Sequence, residues 1–471
     1  MHPLLVIGRQ GCSGLRRISP RTGTHLLQRK SHTHGYAPRH HDDVAAIVVG
    51  GGPAGIAAVG NLLTSIKPDE GKIAWVDRDF DGGRINTKYR EVPSNTKAEL
   101  FSQFAVALKP FREICDAALK PERKPNALTE LRQLPQDKTC SLHYAGNMLK
   151  LLTDGLAMHD QISAHPGGVG TMTWDKSTSR WSLAIKVDEL KAKAYETDFI
   201  TRSAPLVVLC TGASPRFMRL PVDGPRNLYL DIALSPTALA RELPRELEKD
   251  EGPLKEGRPI TVGVIGASHS AILVLKNLWD LYSNSKLDSP LKNIRVKWFT
   301  RYTNLKYAIY EKDYIIYDNT GLKGTSAKFA RRHLEGDMIN TSGVGKMIKR
   351  VDCSGGEEAE KQQFEKELPG CDFVVQAIGY EPVPLPLIKN GPEMLKFDDT
   401  TGGFRDGHGK EVRGLFGAGI AFPERVTDPE GNVESAVGMW KFMKFLKRVV
   451  PAWVEKTRKD QGGSLAAKTE I

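Results

Sequence analysis

The sequence predicts an α/β protein built from two similar strand–turn–helix units. In the first unit, the apolar run 44–49 leads into the glycine-rich turn 50–55 and then into an amphipathic pattern that ends near residue 66. In the second unit, the apolar run 260–265 leads into the small-residue turn 266–271 and a further amphipathic pattern. A continuous apolar run of this length is typical of a parallel strand buried on both faces. A chain of 471 residues has room for two to three domains.

The first turn has the features of a Rossmann-like dinucleotide-binding site. Its first glycine permits a tight turn, its second lets the backbone approach a pyrophosphate, and its third lets helix and strand pack closely. The helix N-terminus offers unpaired N–H groups to the same pyrophosphate, and an acid after the next strand suits the ribose hydroxyls. The glycine spacing alone is a weak signal, because an unrelated α/β turn also shows it. The predicted site residues are Gly50, Gly52, Pro53, Ala54, Gly55 and Asp77.

The second turn keeps this pattern with other small residues. It opens with Gly266, but Ser268 and Ala271 stand where the second and third glycines are expected, with Ser270 between them. The next apolar run ends on Arg301 rather than on an acid. A cation at that place suits the extra phosphate on the adenosine ribose of NADPH, whereas an acid would repel it. The sequence therefore predicts NADPH over NADH, and the alternative is an Arg301 that merely ends a strand in solvent.

Most of the formal net charge of +11 lies in the first 41 residues, which hold seven Lys and Arg, six His and no Asp or Glu. The rest of the chain holds 60 basic and 56 acidic residues, so its charge does not predict a nucleic-acid partner. An Arg-rich, acid-free segment with Ser and Thr is typical of a mitochondrial presequence. We therefore expect a mitochondrial protein, and the alternative is a disordered arm of a cytoplasmic one. No apolar run approaches the length of a membrane span.

The six cysteines do not form a recognisable pattern, since no two of them are as close as a CxxC. This argues against a disulfide scaffold and a cysteine-ligated zinc site. The segment after Asp77 holds no cysteine before Cys115, which disfavours a disulfide reductase. The sequence predicts no metal site, and it does not identify a catalytic residue.

The two turns and three later segments resemble the flavoproteins that have two dinucleotide-binding domains. The later segments are Thr211-Gly212 after an apolar run, Ala377-x-Gly379-Tyr380, and residues 414–421 with Gly417 and Gly419. Within that superfamily, the chain is most similar to the flavin-dependent monooxygenases, including the N-hydroxylating group. Two features depart from the superfamily: Ile420 replaces the usual acid after the last glycine, and the extended histidine-containing fingerprint is missing.

The resemblance implies an FAD-binding domain into which an NADPH-binding domain is inserted. It also implies that residues 414–421 return to the ribityl chain and pyrophosphate of FAD, and that Arg84 lies in a stretch that often covers the flavin. The predicted segments are a presequence at 1–41, the first part of the FAD domain at 42–235, the NAD(P)H domain at 255–380, the second part of the FAD domain with a C-terminal helix at 381–455, and a disordered tail at 456–471.

The function implied by the resemblance is a monooxygenase that acts on a small molecule through a flavin hydroperoxide, with NADPH as reductant. One alternative is an NAD(P)H-dependent electron-transfer or quinone reductase. The other is a non-catalytic, redox-sensing flavoprotein, which the departures at Ser268, Ala271 and Ile420 permit. The sequence predicts neither the substrate nor the oligomeric state. Four tyrosines from Tyr307 to Tyr317 would share one face if their segment were helical, where they could line a substrate tunnel or simply pack.

Overall fold

The structure, a computed structural model, describes residues 43–117, 126–187, 198–248, 257–285, 289–302 and 304–466. The predicted presequence at 1–41 lies outside the described residues.

The strands are β1 Ala46–Val49, β2 Ile73–Asp77, β3 Pro93–Lys97, β4 Thr139–Ser141, β5 Ile162–Asp175, β6 Arg180–Val187, β7 Phe199–Ala204, β8 Val207–Leu209, β9 Ala213–Pro215, β10 Arg226–Asn227, β11 Ile260–Ile265, β12 Ile294–Thr300, β13 Ile309–Tyr310, β14 Ile315–Ile316, β15 Ile348–Asp352, β16 Phe373–Gln376, β17 Tyr380–Pro382, β18 Leu387–Lys389, β19 Lys396–Phe397, β20 Gly403–Arg405, β21 Glu411–Gly417, β22 Glu424–Thr427 and β23 Val433–Ala436.

The α-helices are α1 Pro53–Ser65, α2 Arg84–Thr87, α3 Ala98–Ala105, α4 Lys109–Ala117, α5 Ala127–Gln133, α6 Leu142–Ala157, α7 Leu230–Leu234, α8 Pro236–Glu248, α9 His269–Asn284, α10 Gly324–His333, α11 Met338–Thr341, α12 Glu357–Glu367 and α13 Met439–Ala466. None of these helices in the described part of the chain has both the length and the apolar character of a membrane span.

The larger sheet has ten strands in the order β19-β20-β21-β8-β1-β2-β5-β6-β7, and β18 pairs with β5. The strands β21, β8, β1, β2 and β5 run parallel to one another. All four residues of β1 are buried, as expected for a strand that is covered on both faces. On one face, apolar residues of α1 and α13 such as Ile56 and Leu446 share a core, and on the other Trp181 packs with Ile47.

The smaller sheet has five strands in the order β10-β16-β11-β12-β15, all parallel. Its central strand β11 carries Val262 and Val264 in one core with Ile272 and Leu275 of α9. The second turn therefore belongs to a domain that has its own hydrophobic core.

The order of the strands shows how the two domains are connected. The strand β8 precedes the second sheet in the chain and β21 follows it, yet the two are paired in the first sheet. Next to that connection, β9 and β17 pair antiparallel. The second domain is therefore inserted in a discontinuous first domain, and the predicted fold class is confirmed.

Two predicted limits differ from the structure. Residues 226–235 fall in the predicted first domain and residues 236–248 in neither predicted domain, but β10 belongs to the second sheet, and Leu239, Leu243 and Leu247 of α8 lie in its core. The predicted disordered tail at 456–471 is wrong for residues 456–466, which continue α13. Their helix persists because it stays docked: Thr457 is buried and Arg458 pairs with Glu70 at 2.7 Å.

Candidate dinucleotide-binding sites

The first glycine of each turn has the same strained environment. Gly50 has a φ of 118° and Gly266 a φ of 127°, values that L-residues rarely adopt. A Cβ on Gly50 would lie 2.1 Å from the Cys210 carbonyl oxygen, and one on Gly266 would lie 2.3 Å from that of Ala377. Both turns therefore require glycine here, and the second unit repeats the backbone of the first.

A tryptophan fixes each of these glycines, which the sequence interpretation missed. The indole N–H of Trp75 donates to the Gly50 carbonyl at 2.9 Å, and that of Trp298 donates to the Gly266 carbonyl at 2.7 Å. Both indoles are buried on the strand next to the turn. The sequence does contain a signal for these bonds. Trp75 lies two residues before Asp77 and Trp298 lies two residues before Thr300, at matching positions in the two units.

The backbone at the middle position explains why the second turn can have Ser268 where the first turn has Gly52. The two residues have nearly identical backbone angles, with φ of −81° and ψ of −175° at Gly52, and φ of −91° and ψ of −174° at Ser268. These angles suit any residue, so a serine causes no strain. A Cβ on Gly52 would meet nothing within 4 Å. The space above this position is open, as a pyrophosphate requires.

The helices that follow both turns begin without a capping side chain within the described residues. This holds for α1, which starts at Pro53, and for α9, which starts at His269. The N–H groups of their first turns thus remain available to an anion. Gly55 is held against the turn, because a Cβ on it would lie 1.9 Å from the Gly50 carbonyl oxygen.

Asp77 stands at the end of β2, as predicted, but it also shapes the turn. Its Oδ2 accepts the Gly51 N–H at 2.7 Å, and its Oδ1 accepts the N–H groups of Asp79 at 3.0 Å and Phe80 at 2.8 Å. An ionised carboxylate has about four acceptor positions. One position on Oδ2 is left for a ribose hydroxyl.

The remaining predicted residues of the first domain converge on the same sheet edge. Thr211 and Gly212 follow β8, and the Thr211 hydroxyl is buried with no hydrogen-bond partner among the described residues. Gly417 ends β21, and a Cβ on Gly419 would lie 2.6 Å from the Ala54 Cβ at the start of α1. Turns after four adjacent strands thus meet at the carboxyl edge, the usual ligand site in open α/β sheets. The orphaned hydroxyl and the open cradle at Gly52 fit a bound dinucleotide.

In the second domain, the Arg301 guanidinium is bonded to a carboxylate, which the sequence did not predict. Its Nε donates to Glu360 Oε1 at 2.8 Å and its Nη2 donates to Oε2 at 2.6 Å. The Arg301 side chain is 61% exposed, while that of Glu360 is 11% exposed. Gly379 follows β16 with a φ of 102° and open space at its Cβ position. Gly266, Arg301 and Gly379 therefore lie after three adjacent strands of the second sheet.

Arg84 is near the first turn but is engaged elsewhere. Gly83, which precedes Arg84, packs closely against the first turn, since a Cβ on Gly83 would lie 2.7 Å from the Gly52 Cα. The Arg84 guanidinium pairs with Asp231 at 2.6 Å and bonds to the Tyr89 hydroxyl. The guanidinium is thus directed toward the second domain.

Two features beside the second turn are structural. His269 accepts the Lys323 N–H at 3.1 Å. Burial, with the nearby Lys323 charge, lowers the pKa of His269 to about 4, so the imidazole is neutral at neutral pH. The tyrosines from Tyr307 to Tyr317 do not share a helical face, because β13 and β14 form a hairpin there.

These two domains and their turns define a two-domain flavoprotein fold, and solved structures with this fold include monooxygenases. The chain is similar to the ornithine N-hydroxylase of Kutzneria sp. 744, solved with reduced FAD, NADP+ and L-ornithine. The identity is 13% and the TM-score 0.54, covering 88% of this chain and 100% of that one. A flavin monooxygenase mutant from Stenotrophomonas maltophilia matches at 13% identity and a TM-score of 0.45, covering 89% of this chain and 99% of that one. No protein-family model matches the chain.

A curated relative places the chain more narrowly. Monooxygenase AgnR1 of Paecilomyces divaricatus is 45% identical over 415 residues, which are 87% of this chain and 98% of the relative. The chain belongs to the same monooxygenase family. The predicted class of enzyme is confirmed, and the fold is that of flavoprotein monooxygenases that bind FAD and NADP(H).

Proposed function

We propose that this monooxygenase holds FAD at the carboxyl edge of the ten-stranded sheet, takes electrons from NADPH bound on the five-stranded sheet, and oxygenates a small molecule. Bound FAD would supply the redox chemistry, by which electrons from NADPH allow one oxygen atom of dioxygen to enter the substrate and the other to leave as water. The observation that carries the proposal is the meeting of four turns at one edge, with open space over Gly52 and a buried Thr211 hydroxyl that bonds to none of the described residues.

The residues of the first domain have distinct binding roles. The backbone at Gly52 and the N–H groups at the start of α1 would hold the pyrophosphate. The free acceptor position of Asp77 would receive a ribose hydroxyl, while its bonds to Gly51 and Phe80 keep the carboxylate in place. Gly419 lets the returning chain approach the first helix beside the flavin.

NADPH is favoured over NADH by the donors left on Arg301. Glu360 takes two of the five N–H groups of the guanidinium. Three N–H groups remain on a largely exposed side chain, and the carboxylate holds them in a fixed direction at the end of β12. A 2′-phosphate binds such a preoriented guanidinium through charge-assisted hydrogen bonds.

The test of the FAD site is a pair of matched valine substitutions. In Gly52→Val the new side chain fills the pyrophosphate position, so the folded protein should purify with far less than one FAD per chain. The control is Gly170→Val, since a Cβ on this exposed glycine of β5 also meets nothing within 4 Å. Flavin absorbance per protein and circular dichroism are measured for both. Full flavin retention in folded Gly52→Val would refute the assignment.

We also propose that the chain is imported into mitochondria. The support is the composition of residues 1–41, which are Arg-rich and free of acids. A chain that starts at Asp42 should bind FAD normally, because every binding residue follows it, but should remain in the cytoplasm of transfected cells. Mitochondrial fluorescence of that truncated chain fused to a reporter would reject the presequence.

A further inference from the structure

A loop of the second domain is held by two charged side chains of the first domain. The loop, residues 317–323, carries Leu322 in the core of the second domain and leads into α10. The two side chains are Glu434 on β23 and Lys441 near the start of α13, a helix that lies in the core of the first domain. We call these two side chains and their partners in the loop the interdomain clasp; the partners are Asp318, Asn319 and Thr320.

Glu434 binds the backbone of the loop. The residue is buried, and its Oε2 accepts the Asn319 backbone N–H at 3.0 Å and the Asn319 side-chain amide at 3.1 Å. Its Oε1 accepts the Thr320 N–H at 3.1 Å and the Thr320 hydroxyl. An ionised carboxylate has about four acceptor positions, so two successive residues of the other domain occupy all of them. A neutral or shorter side chain cannot reproduce this set of bonds.

Lys441 binds the same loop through side chains. Its ammonium pairs with Asp318 Oδ2 at 2.5 Å and donates to Asn319 Oδ1 at 2.5 Å. Asp318 is also paired with Lys323 of its own loop, with Oδ1 and Nζ 2.7 Å apart. Together with Glu434, two cations and two carboxylates therefore meet at the boundary between the domains, and their charges balance.

The clasp reaches the second turn through Lys323. The Lys323 backbone N–H donates to His269 Nε2 at 3.1 Å, and His269 is the first residue of α9, directly after Ser268. The other end of Lys323 is fixed as well, because its Nζ donates to the Asp318 carbonyl oxygen at 2.6 Å in addition to the carboxylate. A path of direct contacts thus runs from the first domain to the N-terminus of α9.

The loop has a backbone shape that needs support. Tyr317 has a φ of 56°, a left-handed value that L-residues other than Asn and Asp rarely adopt. Gly321 packs directly on an earlier segment, because a Cβ on it would lie 2.3 Å from the Ala308 nitrogen. Such conformations persist where the surrounding contacts fix the backbone. The bonds from Glu434 to the residues between Tyr317 and Gly321 are contacts of this kind.

Both carboxylates of the clasp are ionised at neutral pH. Burial opposes the ionisation of Glu434, but the bonds from Thr320 and Asn319 outweigh it and lower the pKa of the carboxyl below its usual value. Burial likewise opposes the ionisation of Asp318, and the two lysines lower its pKa. The ion pairs and charge-assisted bonds are therefore present under working conditions.

We propose that Glu434 is a positioning residue: with the Lys441–Asp318 pair, it fixes the start of α9 relative to the first domain and so aligns NADPH with the flavin. The proposal rests on the proposed function, because it concerns how the two binding sites face each other. Transfer between two bound groups depends steeply on their alignment, and a misplacement of about 1 Å lowers a rate on the order of a hundredfold. Glu434 acts on that alignment through the loop.

The test is Glu434→Gln, which keeps the size of the side chain but turns an amide N–H group toward the donors of the loop. FAD reduction by NADPH is followed anaerobically by stopped flow in the FAD-loaded protein. The limiting rate at saturating NADPH should fall by about tenfold or more, with the Kd for NADPH within about twofold of wild type. Deuterium at the transferred position of NADPH should still slow the variant, because transfer itself is the impaired step.

The matched control is Glu424→Gln. Glu424 lies on β22, the strand paired with β23, and its ion pair with Arg448 at 2.6 Å stays within the first domain. This variant loses a carboxylate of the same type without releasing the loop. Its limiting rate should therefore equal that of the wild type.

Backbone hydrogen exchange provides a readout that does not depend on turnover. In FAD-loaded Glu434→Gln without NADPH, exchange should be faster than in the wild type over residues 317–323 and 269–275, because the loop and the start of α9 lose their support. Exchange over α1 should be unchanged, because that helix belongs to the core of the first domain.

A second variant keeps the proposal falsifiable if Glu434→Gln does not fold. Asp318→Asn weakens the clasp from the other domain and should lower the limiting rate in the same way. Where both fold, the losses should not multiply in the double variant, since both changes release one loop. Losses that multiply would contradict a single clasp.

An unchanged limiting rate in both variants overturns the proposal. A lowered melting temperature with an unchanged limiting rate also overturns it, because the clasp would then only join the domains. Loss of the deuterium effect, or unchanged exchange over residues 269–275, contradicts it equally. These outcomes differ from failure of the proposed function, in which the wild type itself would lack FAD or would not be reduced by NADPH.

Discussion

Replacing Arg301 by alanine tests the coenzyme assignment most directly. The guanidinium keeps three N–H groups beyond its two bonds to Glu360. A hydrogen bond to a charged group contributes about 1.5–3 kcal/mol. Since about 1.4 kcal/mol is a factor of ten, Arg301→Ala should weaken NADPH binding roughly 10- to 150-fold. NADH lacks the 2′-phosphate, so its affinity should change by less than about twofold.

The assay is the coenzyme dependence of anaerobic FAD reduction, which gives a Kd for each coenzyme. Arg295→Ala is the matched control, because Arg295 is an exposed cation at the opposite end of the same strand, β12. Arg301→Ala also leaves the largely buried Glu360 carboxylate, 11% exposed, without its partner, so the melting temperature of the variant is measured beside the two affinities. Equal losses for NADPH and NADH would show that Arg301 supports the domain rather than the phosphate, and the reasoning would be refuted.

The two tryptophans that fix the turns should have separable effects. Trp75→Phe leaves the Gly50 carbonyl without its indole donor, at a cost of about 1–3 kcal/mol, and should lower FAD retention and the melting temperature. Trp298→Phe does the same at Gly266 and should weaken NADPH binding while FAD content stays at the wild-type level. Titrations of FAD into apoprotein and of NADPH into holoprotein distinguish the two, and identical effects on both ligands would contradict independent turns.

The fold was predictable because its signals are local. Buried parallel strands require continuous apolar runs, and the first glycines require a positive φ that only glycine adopts easily, so residues 46–55 and 260–271 define two units. The insertion of one domain in the other followed only from the resemblance. The sequence alone could not reveal that β21 returns to pair with β8.

The predictions from the sequence fail where tertiary contacts override the local sequence pattern. Residues 226–248 contain charges and prolines typical of a surface connection, yet leucines spaced by four residues attach α8 to the second core. The polar end of the chain remains helical because α13 stays docked through Thr457 and Arg458. The partner of Arg301 was equally hidden, since Glu360 is 59 residues away in the chain.

The departures from the superfamily pattern differ in their structural consequences. Ser268 changes little, because it adopts the backbone angles of Gly52 and those angles suit any residue. Ile420 changes the chemistry, because it replaces an acid with an apolar side chain packed against the core of the first domain. At that position the chain would offer no charged partner to the ribityl hydroxyls of a bound FAD. Thr211, whose hydroxyl is buried without a partner within the described residues, supplies a neutral polar group at the same edge.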